Sequence, residues 1–280
     1  MLSLIIGLCA ALAWGIHDIC VRYVAQTGQI LPALSTVLVT GCVFMAPVVY
    51  FVGGWQDMTA PAYGYSALSG VFYLFGCIGL YKSFGIGPVR LVAPIMGAYP
   101  ILSVGWAAVL GQVISADQWM AVGAVIAGVA VVSTLSEQED SSGSQLQAIG
   151  WAVMGAVGFA CTFAVGQIAT QKGAEMPVVL ITRAVTATGA LVLLSVSKGD
   201  KKPGRAAWPF LAVMGVLDAA ALSAVIASGG LERPEFAAVA ASTFGMITII
   251  LAWGFLKEKM TPPQWVGVAL TFAGIGYLAF

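Results

Sequence analysis

Charged side chains are scarce in this chain: 12 Lys+Arg and 12 Asp+Glu make up only 9% of its 280 residues. A soluble domain carries about a quarter charged residues. Hydrophobic residues account for 60% of the sequence, and the mean hydropathy is +0.95. This composition excludes a soluble globular protein and indicates a multi-pass membrane protein. Because the net charge is zero, nothing in the composition supports a nucleic-acid partner.

Residues for metal and nucleophilic chemistry are also few. The chain has one histidine, His17, and its five cysteines all lie within apolar runs, where they are expected to be small core residues. No metal-ligand spacing, no phosphate-binding G-x-x-x-x-G-K-[ST] motif and no Ser/His/Asp set is visible. We therefore expect no metal, no cofactor and no enzymatic activity. An intramembrane enzyme is the disfavoured alternative.

Ten apolar segments predict ten transmembrane helices. Spanning a bilayer takes about 20 apolar residues, and a helix satisfies its own backbone hydrogen bonds inside lipid. The short alternating segments of a membrane β-barrel do not fit these runs. The fold class is therefore an all-α membrane protein, with predicted spans at 2–25, 32–52, 62–84, 89–111, 118–136, 146–170, 177–197, 208–229, 235–256 and 263–280.

The second half of the chain repeats the first. Pro88, Leu110 and Trp119 are followed 146 residues later by Pro234, Leu256 and Trp265, which indicates an internal duplication. Five spans per half is an odd number, so the second half enters the membrane with the opposite orientation. This is the inverted-repeat plan of secondary transporters. The predicted division is residues 1–136, a polar and acidic linker at 137–145, and residues 146–280.

The repeated motif resembles the EamA repeat of the drug/metabolite transporter superfamily. Its elements are Pro100, Gly111-Gln112, Ser115, Gln118-Trp119 and Gly128 in the first copy, and Lys257-Glu258, Thr261, Gln264-Trp265 and Gly274 in the second. The resemblance implies alternating access through a cavity lined by helices one, three, four, six, eight and nine. It also implies a substrate class, because bacterial members commonly export amino acids or related metabolites.

The sequence departs from the family pattern at two positions, and each departure predicts a structural difference. The first copy has Gln112 where the family commonly has Glu, so the first half is expected to lack one structural salt bridge. The second copy has Met246 in place of the proline of the fourth helix, so the two equivalent helices are expected to bend differently.

Ionisable residues inside apolar helices are the sharpest functional candidates. We expect Asp18 and Asp218 to bind a substrate ammonium or to take up a coupling proton, with His17 as a third proton-coupling candidate. The alternatives are structural: Asp18 paired with Arg22, Asp218 paired with Arg183 or with the helix backbone, and His17 as a packing residue. Arg183 itself either clamps a substrate carboxylate or extends to the membrane interface.

Aromatic residues are the other candidates for the substrate site. Trp14, Tyr73, Tyr99, Phe163 and Phe244 are predicted to line an aromatic cavity that would suit an apolar side chain or an amine. Simple helix packing is the alternative for each of them. Pro94 and Pro100 in the fourth span predict a hinge, or else a static kink.

These observations predict a secondary transporter of the inner (cytoplasmic) membrane that moves a small metabolite, most simply an amino acid, out of the cell. An importer of a vitamin or nucleotide-like solute is the alternative within transport, and a non-transporting scaffold lies outside it. We expect a monomer or weak dimer in the lipid bilayer. The count of basic residues puts the termini outside, whereas the resemblance implies cytoplasmic termini.

Overall fold

The computed structural model describes residues 2–26, 29–99, 101, 102, 105, 113, 115–134, 145–228, 231 and 234–277. All regular secondary structure within these ranges is helical. The helices are α1 (Leu2–Ala25), α2 (Ile30–Val52), α3 (Ala60–Ile86), α4 (Val89–Gly97), α5 (Ala116–Thr134), α6 (Gln145–Thr170), α7 (Glu175–Val196), α8 (Trp208–Ala227), α9 (Pro234–Ser242), α10 (Phe244–Leu251) and α11 (Pro262–Tyr277).

The apolar helices confirm a multi-pass membrane protein. Within the described ranges, seven helical segments are long and apolar enough to cross a bilayer, and the apolar part of α5 is shorter. The count of ten spans stays a prediction, because parts of the fourth, fifth and tenth spans lie outside the described residues. The predicted linker at 137–145 also lies outside them, apart from Gln145, which begins α6.

The two halves of the chain are interleaved rather than side by side. The first helix of the first half, α1, packs against α8, α9 and α10, whereas the first helix of the second half, α6, packs against α3 and α4. Helix α2 contacts α7 and α8, and α5 pairs with α11. Each half therefore completes the packing of the other, and the space between them is lined by both.

Glycines allow the closest of these helix contacts. Gly76 and Gly79 of α3 face Gly155 and Gly158 of α6, and a Cβ atom on Gly158 would overlap the backbone of Gly76. Such small-residue faces are how membrane helices approach closely without a hydrophobic driving force between them. The α3–α6 contact thus joins the two halves at backbone distance.

The fourth and ninth predicted spans are interrupted, which corrects their assignment as single helices. Helix α4 ends at Gly97, with a turn at Ala98 and Tyr99, and a turn at Thr243 separates α9 from α10. Gly97 and Thr243 are equivalent positions of the two repeats. Pro94 lies buried inside α4, whereas Pro100, the other predicted hinge residue, lies outside the described residues.

The interruption in the second half needs no proline. Ser242 Oγ donates to the Val239 carbonyl (2.6 Å), and Thr243 Oγ1 donates to the Ala240 carbonyl (2.7 Å). Hydroxyls bonded in this way compete with the regular helical ladder. Both helices are therefore interrupted at equivalent positions, and Met246 in place of the proline does not remove the break.

The glycine contact gives a testable prediction. Gly158→Ala should lower the free energy of unfolding by about 2 kcal/mol, because overpacking a close contact typically costs about 1–3 kcal/mol. The matched control is Gly150→Ala on the same helix, where an added Cβ meets no atom. Thermal unfolding in detergent measures both, and equal melting temperatures for the two variants would contradict the close α3–α6 contact.

Candidate functional site

A single cavity between the two halves collects the candidate residues. All seven predicted substrate-binding residues line it, together with His17. The lining comes from both halves of the chain and consists of Trp14, His17, Asp18, Leu34, Val37, Leu38, Tyr73, Cys77, Leu80, Tyr81, Tyr99, Phe159, Phe163, Asp218 and Phe244.

Asp218 lies at the centre of one polar cluster in this cavity. Its Oδ1 accepts hydrogen bonds from Trp14 Nε1 (3.0 Å) and Tyr73 Oη (2.5 Å), and its Oδ2 lies 3.0 Å from Arg183 Nη2. We call these four residues the Asp218 cluster. They come from α1, α3, α7 and α8, so one carboxylate joins four helices. Asp218 is thus paired with Arg183, as the structural alternative expected.

Arg183 reaches Asp218 through a gap left by a glycine. The arginine is fully buried, with 0% of its surface exposed. A Cβ atom on Gly41 of α2 would overlap Arg183 Nη2 and approach the Gly215 carbonyl oxygen of α8. The guanidinium therefore lies where α2 and α8 pass closest. A buried charge needs a partner, and Asp218 is the only ion-pair partner of Arg183 among the described residues.

Asp18 forms the second polar cluster, with His17 and Tyr81. His17 Nδ1 lies 3.0 Å from Asp18 Oδ1, and the rings of His17 and Tyr81 meet edge to face at 6.4 Å. We call these three residues the Asp18 cluster. The expected alternative, a pair between Asp18 and Arg22, is not formed: the acidic partner of Arg22 is Glu258.

The carboxylates of the two clusters differ in how well they are paired. Both carboxylate oxygens of Asp218 accept hydrogen bonds. In the Asp18 cluster, within the described part of the chain, Asp18 Oδ2, His17 Nε2 and Tyr81 Oη are buried without a hydrogen-bond partner. Buried polar atoms are nearly always paired in proteins, so each exception calls for an explanation. These three atoms belong to residues that line the cavity.

Aromatic rings in contact with one another form a continuous wall of the cavity. Phe163 contacts Tyr99 (5.2 Å between ring centroids), Trp14 (5.7 Å) and Phe159 (6.3 Å), and Trp14 also contacts Phe244 at 6.1 Å. Such tilted and edge-on contacts are the favourable arrangements for aromatic pairs. The wall offers ring faces to an apolar or cationic group.

Several lining residues were not among the favoured candidates. Helix α2 contributes Leu34, Val37 and Leu38, although the family resemblance left helix two out of the lining. Their apolar character gave no signal in a chain made largely of such residues. Cys77 and Tyr81 could have been found, because they continue the four-residue spacing that begins at Tyr73 on α3.

The cavity is closed in this conformation. The space between the lining side chains is about 20 Å³, which is room for about one water molecule. A metabolite therefore needs the surrounding helices to move apart before it can enter. The described residues contain no group of three or more His, Cys, Asp or Glu that could hold a metal ion.

Comparison with known proteins identifies the family. A sequence model described as the EamA-like transporter family matches residues 1–134 and again residues 146–280. The chain belongs to the EamA-like transporter family. The drug/metabolite transporter resemblance of the repeated motif is thereby confirmed. The chain is accordingly a membrane protein of a family of transporters.

A solved structure supports the same EamA fold. A crystal structure of another protein matches this chain with a TM-score of 0.70 at 15% sequence identity, over 98% of this chain and 95% of its own. At this identity the match concerns the fold alone. No curated protein matches the sequence.

The buried ion pair of this EamA protein yields a prediction for stability. Asp218→Asn should destabilise the protein by about 3–5 kcal/mol, because it leaves the buried Arg183 charge unpaired. Adding Arg183→Met to Asp218→Asn should recover part of that loss, which thermal unfolding in detergent would detect. Asp57→Asn, at an exposed carboxylate, is the control. The single variant Arg183→Met is measured as well. A loss of stability in the double variant equal to the sum of the losses in the two single variants would contradict the pairing.

Proposed function

We propose that this protein is a secondary transporter of the inner membrane that exports an amino-acid-like metabolite by alternating access through the closed cavity. The observation that carries the proposal is the Asp18 cluster: an unpaired carboxylate oxygen, buried between two inverted halves of a transporter fold. An ionisable residue in such a place is costly, so a functional role is the default reading.

The two aspartates have different roles in this proposal. Asp218 holds three donors from three other helices, so it organises the cavity and has no free oxygen for a solute. Among the described residues, His17 is the only hydrogen-bond partner of Asp18, and Asp18 Oδ2 is available to accept a hydrogen bond from a substrate ammonium. Asp18 is therefore the substrate-binding carboxylate, and Asp218 positions Trp14 and Tyr73.

Neighbouring groups complete a site for an amphipathic solute. Tyr81 Oη can donate a hydrogen bond to a substrate carboxylate, and it lies in the same cavity as Asp18. Trp14, Phe163 and Phe244 would contact the apolar side chain of the solute. The Asp18 cluster and this aromatic wall together have the polarity of an amino acid, polar at one end and apolar at the other.

His17 supplies the means of proton coupling. An ionised Asp18 can only accept a hydrogen bond, so it pairs with the His17 tautomer that carries its proton on Nδ1. Nε2 of His17, a residue that lines the cavity, is then an acceptor, and protonation turns it into a donor. Protonation of His17 or Asp18 thus changes which charge the site prefers. A proton entering as the substrate leaves would drive export.

The first test of this proposal is a thermal-shift screen of the purified protein. Amino acids, amines, nucleosides and vitamins are the ligands, and a ligand at a hundredfold excess over Kd stabilises the folded state by about 2.7 kcal/mol. We expect a rise in melting temperature with amino acids that is lost in Asp18→Asn and kept in Asp57→Asn. A response confined to larger ring systems would instead support the vitamin or nucleotide importer.

Flux in proteoliposomes tests the coupling. Counterflow of the amino acid found in the screen should accelerate when the opposite compartment is made more acidic, and His17→Gln should remove this acceleration while keeping exchange at constant pH. Unchanged flux in correctly inserted Asp18→Asn protein would reject the role of Asp18. An identical response to the proton gradient in His17→Gln would reject the role of His17.

A further inference from the structure

Glu258 joins the two halves of the protein at one end of the helix bundle. It lies in the loop between α10 and α11, and its carboxylate accepts the backbone N–H groups of Val89 (3.0 Å) and Arg90 (3.3 Å). These are the first two residues of α4, whose preceding residue, Pro88, offers no side-chain cap. A residue of the second half therefore caps a helix of the first half.

Two arginines extend this contact across the bundle. Arg22, at the end of α1, lies with Nε 3.8 Å from Glu258 Oε1 and donates from Nη1 to the Phe84 carbonyl near the end of α3 (2.5 Å). Arg90 Nη1 donates to the Lys259 carbonyl (3.1 Å). We call Arg22, Val89, Arg90 and Glu258 the Glu258 junction. It ties the loop of the second half to α1, α3 and α4.

The junction lies beyond the cavity at the end of the bundle where α1 finishes. Arg22 is four residues, or about one helical turn, beyond Asp18 on α1, and Phe84 is three residues beyond Tyr81 on α3. The junction therefore lies about one turn from the Asp18 cluster along both helices. A solute leaving towards this end must separate the loop from the three helices, which breaks the contacts of Glu258.

The negative charge of Glu258 is what makes this contact strong. A carboxylate at a helix N-terminus interacts with the helix dipole, and hydrogen bonds to an ionised group are about twice as strong as neutral ones. The side chains of Arg22 and Glu258 are only 14% and 13% exposed, so water screens their attraction little. A glutamine at position 258 would keep one acceptor oxygen and lose the charge.

The first repeat has this glutamine in place of the glutamate. Position 112 is the equivalent of position 258, and it is Gln112. In the inverted-repeat arrangement predicted from the sequence, position 112 belongs to the opposite membrane face; Gln112 itself lies outside the described residues. The chain thus has a charged residue at this position for one face of the membrane and a neutral one for the other.

We propose that Glu258 is a one-sided latch that favours closure of the cavity at the Arg22 face, so that the Gln112 face opens at lower cost. This inference rests on the proposed alternating access, but not on any particular substrate. It assigns Glu258 a conformational role, since it lies outside the lining of the cavity. The asymmetry between the two faces arises from one charged group.

Cys77 provides a probe for this latch within the natural sequence. It is a free cysteine that lines the cavity and is 5% exposed. In a variant whose other four cysteines are replaced by serine, its reaction with a membrane-impermeant methanethiosulfonate reports opening towards the side of addition. Lys202→Cys, in a cysteine-free background, identifies the Arg22 face, because its loop reaches Gln29 just after α1 through Asp200.

The expected result is one-sided. Glu258→Gln should raise the labelling rate of Cys77 from the Arg22 face at least tenfold, with no rise from the opposite face. Gln112→Glu should slow labelling from the opposite face. Glu175→Gln, which removes a carboxylate from the start of α7 outside the cavity, is the matched control and should label like the parent.

Three results would overturn the latch: no change in Glu258→Gln, an equal rise from both faces, or the same rise in Glu175→Gln. If Glu258→Gln does not fold, Arg22→Gln gives the same test, since it removes the cation and keeps the cap on α4. Labelling needs no substrate. One-sided opening without amino-acid transport would therefore retain the latch and reject the proposed substrate, whereas transport with symmetric labelling would do the reverse.

Discussion

The ion pair between Arg183 and Asp218 is the constraint on which the centre of this protein depends. A full charge inside a membrane protein is tolerated only when it is paired and hydrogen-bonded. Here the carboxylate accepts from Arg183, Trp14 and Tyr73, which fixes α1, α3, α7 and α8 relative to one another. Gly41 allows the arginine to approach. The positions of the cavity walls follow from this one carboxylate.

With Asp218 fully engaged, the polar capacity of the cavity rests on the Asp18 cluster. Both clusters are built around a buried aspartate. They differ in the number of hydrogen bonds that the carboxylate accepts. Both carboxylate oxygens of Asp218 have donors, whereas Asp18 Oδ2, His17 Nε2 and Tyr81 Oη are buried without a hydrogen-bond partner in the described part of the chain. A transporter needs both kinds of site. One set of contacts must hold the helices together while the binding groups exchange one partner for another.

The two copies of the repeat are chemically unequal. Both copies interrupt their cavity-lining helix at an equivalent position, but the second copy does so with Ser242 and Thr243 hydroxyls. Both copies have a Gln-Trp pair at the start of the next helix, but only the second copy has the charge of Glu258 at the position where the first has Gln112. Equivalent backbone geometry with different side chains is a simple way to give two membrane faces different stabilities.

The sequence alone determined the class, the repeat and the residues worth examining. Scarce charge and apolar runs require membrane helices, a constant offset reveals duplication, and an aspartate in an apolar helix stands out because it is costly there. The partners of those residues depended on tertiary structure. Arg22 is four residues from Asp18 and yet faces Glu258, which lies far along the chain. Leu34 lines the cavity although nothing marks it among so many leucines. Helical spacing specifies which residues share a face, but only the packing of helices from both halves decides what that face meets.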